Sequence, residues 1–133
     1  MSMITQKEIQ ERIAIAIALK MAKQKAREEK IAYRKRFMAS TQEGYTVVYN
    51  HFRYDKHGKV RRFIRGESKW RPTLYGGLTV CVAVHKDTGH IVTGYGNCDP
   101  VDRFEYAEGR WYAWNDVYAS LVFGRVRGKE FPR

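Results

Sequence analysis

Cysteine and proline are scarce in this chain, two and three in 133 residues, and acid is short beside base, with 14 Asp and Glu against 25 Lys and Arg. Two cysteines are too few for a disulfide framework. Cys81 moreover lies within Thr79 to Val84, which reads as a buried strand, so a reduced, cytoplasmic setting is expected. Long apolar runs are missing too. The densest, Ile13 to Leu19, is seven residues long and follows Lys7, Glu8, Glu11 and Arg12. That is well short of the ~18 residues that cross a bilayer, so neither a signal peptide nor a membrane anchor is expected. No C-x-x-C pair or His-x-x-x-His spacing occurs, which removes the usual signature of a closed zinc site. Gly76-Gly77 and Gly94-x-Gly96 have neither the spacing nor the lysine of a phosphate-cradling loop.

What is present suits one compact core. The chain is 44% hydrophobic and 14% aromatic, enough for a domain of this length to bury an interior. Its formal charge of +11 speaks of partners rather than of fold. Nucleic acid is the first expectation, with an anionic membrane surface or an acidic protein face next.

From about Thr5 to Ala39 there is no Gly or Pro, and Ala, Glu, Lys, Gln and Arg dominate, which predicts one long helix. Thr5 followed by Glu8 resembles a capping box, and Gly44 suits a left-handed position past the end. The first half places Ile9, Ile13, Ile17 and Met21 at four-residue spacing, with Ile15 and Leu19 on other faces. Apolar surface that wide is expected to be covered, by the domain or by a second copy paired through Ile13 to Leu19. The second half carries Lys20, Lys23, Lys25, Arg27, Lys30, Arg34, Lys35 and Arg36 against Glu28 and Glu29. The helix, residues 1–43, is therefore read as one unit and residues 44–133 as the core domain.

After the helix the period changes to two. Tyr45, Val47 and Tyr49 alternate with Thr46, Val48 and Asn50 as far as Tyr54, and Lys56-His57-Gly58 turns the chain into Val60 to Arg65. A looser segment from Gly66 to Gly77 precedes a second hairpin, Leu78 to Val84 and Ile91 to Tyr95, around Asp87-Thr88-Gly89. Leu78, Val80, Val82 and Val84 are expected to form the face that packs. Asp99 reads as an N-cap, Pro100 as the first helical residue and Asp102 as a first-turn acid, opening a helix to about Phe123. Phe104, Ala107, Trp111, Trp114, Tyr118 and Leu121 form its expected apolar stripe. Gly124 ends it before a basic tail with Arg125, Arg127, Lys129 and Arg133.

The segment Cys98-x-Pro100-x-Asp102-x-Phe104, followed by Gly109-Arg110 and Ala113 and preceded by a hairpin with Gly-rich edges, resembles a group of small phage-encoded accessory proteins. The match runs from Gly76 to about Leu121, roughly a third of the chain. It implies a phage or prophage origin and a role in modulating host or phage nucleic-acid machinery. It implies no catalytic residues.

The strongest functional candidate is the basic hairpin. Arg53, Lys56, Lys59, Arg61, Arg62, Arg65, Lys69 and Arg71 interleave with Phe52, Tyr54, Phe63 and Trp70, the mixture that holds phosphates while stacking bases. Alternation puts Arg61, Phe63 and Arg65 on one face and Val60, Arg62 and Ile64 on the other. The plainer reading is a solvated strand whose long cations discourage edge pairing. Arg27, Lys30, Arg34, Lys35 and Arg36 on the first helix make a second candidate, against the plainer reading of a solvated charged face.

The remaining candidates are weaker. His85 and His90 flank a turn, with Cys81 and Cys98 farther along the strands, and lack metal-ligand spacing. Asp99, Asp102, Glu105 and Glu108 cluster, but capping and dipole roles account for the first two. Arg103 and Arg110, seven apart, would share a helical face, unless Arg110 pairs with Asp102 or Glu105.

The expected architecture is α+β: a long amino-terminal helix, an antiparallel sheet of about four strands in two hairpins, and a carboxy-terminal helix packed on the sheet. The order resembles a double-stranded-RNA-binding domain, but the second helix lacks that module's lysine cluster. The expected function is non-enzymatic nucleic-acid binding, DNA or RNA, with neither cofactor nor metal. The alternative is an inhibitor docking on a host defence nucleoprotein, such as a CRISPR effector or a restriction enzyme. A nuclease built on the acidic cluster is a third class.

Overall fold

The computed structural model describes residues 3–124; the basic tail with Arg125, Arg127, Lys129 and Arg133 lies outside the described residues. The elements run α1 (Gln6–Thr41), β1 (Tyr45–Tyr54), β2 (Val60–Phe63), β3 (Tyr75–His85), β4 (Ile91–Arg103) and α2 (Tyr106–Phe123). This is the α+β layout read from the sequence. The four strands form one antiparallel sheet in the order β2-β1-β3-β4.

Two compact units divide between Phe37 and Met38. The first consists of α1 up to Phe37. Its start follows the expected cap, Glu8 N–H donating to Thr5 Oγ1 at 3.2 Å, which satisfies one of the donors a helix leaves free at its beginning. The second unit begins at Met38, earlier than residue 44, because the last turn of α1 belongs to the core. Trp114 Nε1 donates to Thr41 Oγ1 at 2.7 Å, and Gln42 Nε2 to the Tyr49 hydroxyl at 2.8 Å.

α2 covers one face of the sheet, and it is the face opposite to the expected one. In the register of β1, β3 and β4, Thr79, Cys81 and Ala83 share a side with Gly94 and Gly96, and all three are fully buried. Leu78, Val80, Val82 and Val84 point the other way, beside Val48 and Ile91, which are 52% and 61% exposed. The reason is closeness of approach. A Cβ on Gly94 would lie 2.5 Å from the Ala113 carbonyl oxygen, and one on Gly96 2.6 Å from that of Gly109. Only a strand face of small residues lets a helix backbone come so near.

The buried line of α2 is accordingly Gly109, Ala113, Trp114 and Val117, turned away from the expected stripe of Phe104, Ala107, Trp111, Trp114, Tyr118 and Leu121. Of that stripe only Trp114 belongs to the buried line; Phe104 is also buried but precedes the helix. Full burial of Val117 contributes on the order of 2 kcal/mol and that of Trp114 somewhat more.

The start of α2 is a second correction. Asp99, Pro100 and Asp102 belong to β4, and the cap position is Glu105, whose side chain makes no capping bond. Tyr75 pairs with Arg103 and Gly77 with Cys98, so the residues between Cys98 and Arg103 bulge outward. Gly76 and Gly77 permit the shift with φ of 74° and 150°. Phe104 N–H then donates to the Leu74 carbonyl at 2.9 Å, which delays the helix until its backbone is free of the sheet. Asp99 Oδ1 accepts from Val101 N–H at 3.2 Å, an Asx turn in place of a helix cap. Gly124, at φ 65°, closes α2 as expected.

Candidate nucleic-acid interface

The β1–β2 hairpin is organised by Asp55. Its Oδ1 accepts from the backbone N–H groups of His57 and Lys59 at 2.9 and 3.0 Å, and Oδ2 lies 3.7 Å from Arg61 Nη1. The Lys59 N–H is foremost among the groups that hold this carboxyl below the usual carboxylate range, opposed by its partial burial. The carboxylate draws the turn tight and leaves Lys56 and Lys59 exposed at its tip.

Beyond β2 the chain folds back on the hairpin. Ser68 Oγ accepts from Ile64 N–H at 2.9 Å, Thr73 N–H donates to the Tyr54 carbonyl at 2.9 Å, and Trp70 meets Phe63 edge-on at 5.2 Å. This return loop brings cations onto rings. Arg61 lies 4.7 Å over Trp70, and Arg65 lies 4.0 Å over Tyr106 at the start of α2. Such stacking orients a guanidinium while leaving its edge to donate. Arg61, Arg62, Arg65 and Lys69 are exposed and Trp70 is half-buried.

Two concavities flank this ridge. One, of about 570 Å³, is lined by Asp55, Lys56, Arg61, Trp70 and Arg71 among others. The second, of about 340 Å³, lies where β2 ends and α2 begins, lined by Tyr49, His51, Phe63, Arg65, Glu67 and Tyr106 among others.

Arg53 departs from its expected role. It is 5% exposed, so it is not a surface contact for phosphate. Its position in β1 turns it toward the α2 side of the sheet, where the guanidinium lies 4.2 Å over Phe104 and donates to the Tyr106 hydroxyl and the Thr73 carbonyl at 2.9 and 2.8 Å. No carboxylate pairs with it among the described residues, and its Nε has no partner. Buried cations normally have an anion beside them; this one has π faces and neutral oxygens.

Its charge is felt at His51, two residues away on the same face. His51 Nδ1 lies 2.9 Å from Thr79 Oγ1, and the ring meets Tyr106 edge-on at 4.7 Å. Burial, reinforced by Arg110, Arg65 and Arg53, pushes His51 down to about 4, so it is neutral at pH 7. Arg110 also acts on Tyr49, whose hydroxyl burial raises to about 12. Arg110 thus adds positive potential at both Tyr49 and His51. Arg103 lies in β4, so the two arginines share no helical face.

His51, Tyr49 and Tyr106 are not site candidates in the sequence, and Arg110 is one only beside Arg103 or paired with Asp102 or Glu105. His51 and Arg53 share a strand face by alternation, and Tyr106 and Arg110 are one turn apart on the helix, but no local spacing brings the strand pair and the helix pair together.

On α1, Lys20, Lys23, Arg27, Lys30 and Arg34 follow at alternating three- and four-residue steps, a single basic line down the continuous helix. Lys35 and Arg36 lie off that line.

The other candidates fall into structural roles. His85 Nδ1 accepts from the N–H groups of Asp87 and Thr88, both at 3.2 Å, and so holds its own turn. Among the described residues no group of three His, Cys, Asp or Glu is arranged to hold a metal. Asp99, Asp102, Glu105 and Glu108 line a cavity of about 370 Å³ beside Cys98. Burial pushes the Cys98 thiol up, and that of the fully buried Cys81 up to about 12, so neither is a thiolate at neutral pH. No helix among the described residues is long and apolar enough to cross a membrane.

Fold and surface together define a basic α+β protein whose hairpin and return loop carry guanidinium groups stacked on rings. No protein-family model, curated protein or solved structure matches the chain.

Proposed function

We propose that this is a non-enzymatic nucleic-acid-binding accessory protein, of the phage-encoded kind that Cys98 to Arg110 resembles. Lys56, Lys59, Arg61, Arg62, Arg65 and Lys69 contact phosphates, and the basic line on α1 makes a separate contact. The observation that carries the reading is the stacking of Arg61 on Trp70 and Arg65 on Tyr106. Exposed cations held against rings, with cavities on either side, suit a partner that offers both phosphates and flat apolar bases. A merely solvated strand needs no such arrangement.

Fluorescence anisotropy of a labelled oligonucleotide across a salt series tests this. Affinity should fall steeply with salt, and the triple variant Arg61→Gln, Arg62→Gln, Arg65→Gln should reduce the log–log slope by about 2 to 3, one counterion for each lost phosphate contact. A flat salt response, or no binding at low salt, would overturn the proposal.

A second reading, docking on a host defence nucleoprotein, is favoured by apolar surface that a nucleic-acid ligand leaves idle. Ile13, Ile15, Ile17 and Leu19 are 53–61% exposed, on a helix segment apolar around its circumference. Protein partners retained in a pull-down after nuclease treatment favour that reading; their loss favours direct binding. The same run pairs two copies if the protein is a homodimer, and light scattering showing a monomer at high concentration would remove that idea.

A further inference from the structure

The cavity between the end of β2 and the start of α2 has features that phosphate binding alone does not use. Its volume, about 340 Å³, falls at the lower end of the ~300–1,000 Å³ typical of small-molecule sites. It is matched to one nucleotide, not to a helix. Three of its walls are the rings of Tyr49, Phe63 and Tyr106, and Arg65 stands over the last of these at 4.0 Å. Arg62 also lines it, and Arg110 and Arg53 add positive potential at His51; of the acids only Glu67 is in the lining.

The floor is polar without being charged. His51 is neutral at pH 7, and Nδ1 is the only one of its ring nitrogens with a hydrogen-bond partner among the described residues. β2 pairs with β1 only from His51 to Tyr54, so from Tyr45 to Asn50 that edge of β1 has no strand beside it in the sheet. Unpaired strand-edge N–H and C=O groups are strong hydrogen-bonding groups. Those of Tyr49 adjoin the cavity, whereas those of Asn50 alternate toward β3.

From this combination we infer that the cavity receives a single unpaired nucleobase, with its phosphate on Arg62 and Arg65, so that the protein selects single-stranded over duplex nucleic acid. The inference rests on the nucleic-acid reading above and adds to it the state of the ligand. A duplex presents its phosphates to the exposed cations but keeps its bases stacked inside. Only an unstacked base reaches ring walls and strand-edge donors together. A bare phosphate would engage the guanidinium groups and leave the exposed ring surface of the cavity unused.

The test uses the full chain at one low salt concentration and three ligands of equal length. They are a mixed-sequence single strand, the blunt duplex of that sequence, and an abasic single strand with the same sugar-phosphate backbone. The natural strand should bind at least about tenfold more tightly than the duplex or the abasic strand, from the stacking of bases on side chains. Ile64→Trp, at a partly exposed position on the cavity wall, fills the space without removing a cation. It should cut the preference to below about threefold while duplex affinity stays within about twofold, with circular dichroism confirming the fold. Arg65→Lys keeps the charge but loses the flat guanidinium and should weaken the single strand more than the duplex. Equal affinity for all three ligands would overturn the cavity's role and leave phosphate binding standing. So would a preference unchanged by both substitutions. Failure to bind any of the three would overturn the nucleic-acid reading itself.

Discussion

The two halves of the core unit are held together by opposite means. Where α2 crosses β3 and β4, contact is made by side chains that are absent or small: Gly94 and Gly96 on the strand against the backbone of Gly109, Ala113 and Val117. Where the return loop closes on β1 and β2, contact is made by the largest side chains in the chain, with Arg61 on Trp70, Trp70 on Phe63, and Arg53 between Phe104 and Tyr106. Backbone-to-backbone packing has no side chain that can move aside, so it fixes position and tolerates no added atoms. Long cations and rings have rotamers to spend, which suits a surface that adapts to a ligand. The first half builds the frame and the second presents the chemistry.

The largest effect should come from placing one methyl group in the frame. Gly96→Ala puts its Cβ 2.6 Å from the Gly109 carbonyl oxygen and 2.9 Å from Ala113 N, so helix and strand must separate. A loss of about 3 kcal/mol or more is expected by urea denaturation. Arg62→Gln, exposed on β2, should shift stability by no more than about 0.5 kcal/mol and weaken oligonucleotide binding instead. If Gly96→Ala melts like the wild type, the helix has slack and the contrast between the halves fails.

The same contrast explains what could be read from the sequence. α1, both hairpins and the end of α2 at Gly124 were legible because they rest on local signals: a gap in Gly and Pro, alternation, turn residues, a left-handed cap. The face of β3 that packs was not. Pattern reading favours large apolar residues, so Leu78, Val80, Val82 and Val84 outranked Thr79, Cys81 and Ala83. The buried face was decided instead by Gly94 and Gly96 on the neighbouring strand, which is tertiary information. Asp99-Pro100 imitates a helix start by composition, yet the bulge allowed by Gly76 and Gly77 keeps that segment in β4. In the interface the cations were legible and their depth was not. Arg53 and Arg61 sit opposite each other in the register, one buried and one exposed, because Phe104 and Tyr106 cover the first alone.

Arg53 sharpens the comparison from within the second half, since it is a large cation used as frame. Arg53→Ala removes two hydrogen bonds and empties the space beneath Phe104 and Tyr106, at an expected cost of about 3 kcal/mol. Arg53→Met keeps most of the volume and removes a buried charge that has no anion, so its cost should be about 1 kcal/mol or less. Thermal denaturation of the two variants separates packing from charge. An equal, large loss in both would mean that the guanidinium's hydrogen bonds carry the site and that shape contributes little.

A smaller effect, of about 2 kcal/mol, should appear as a pH dependence that belongs to His51. Above pH 6.5 the ring is neutral in both the folded and the unfolded chain, and it contributes no slope. Between 6.5 and about 4 the unfolded chain takes up a proton that the folded protein refuses, because burial and then Arg110, Arg65 and Arg53 disfavour the cation. Stability is therefore lost as pH falls through this window and levels off, for this group, below about 4. The full shift would correspond to about 3 kcal/mol at ~1.4 kcal/mol per pH unit, and partial exposure of the ring reduces it to about 2 kcal/mol. Urea melts of wild type and His51→Gln at pH 7, 5.5 and 4.5 isolate the contribution, since the other titrating groups are common to both. The difference in stability between the two proteins should shift in favour of the variant as pH falls. If the two curves run parallel, His51 is not held neutral by its surroundings, and the positive potential of Arg53, Arg65 and Arg110 is dispersed into solvent.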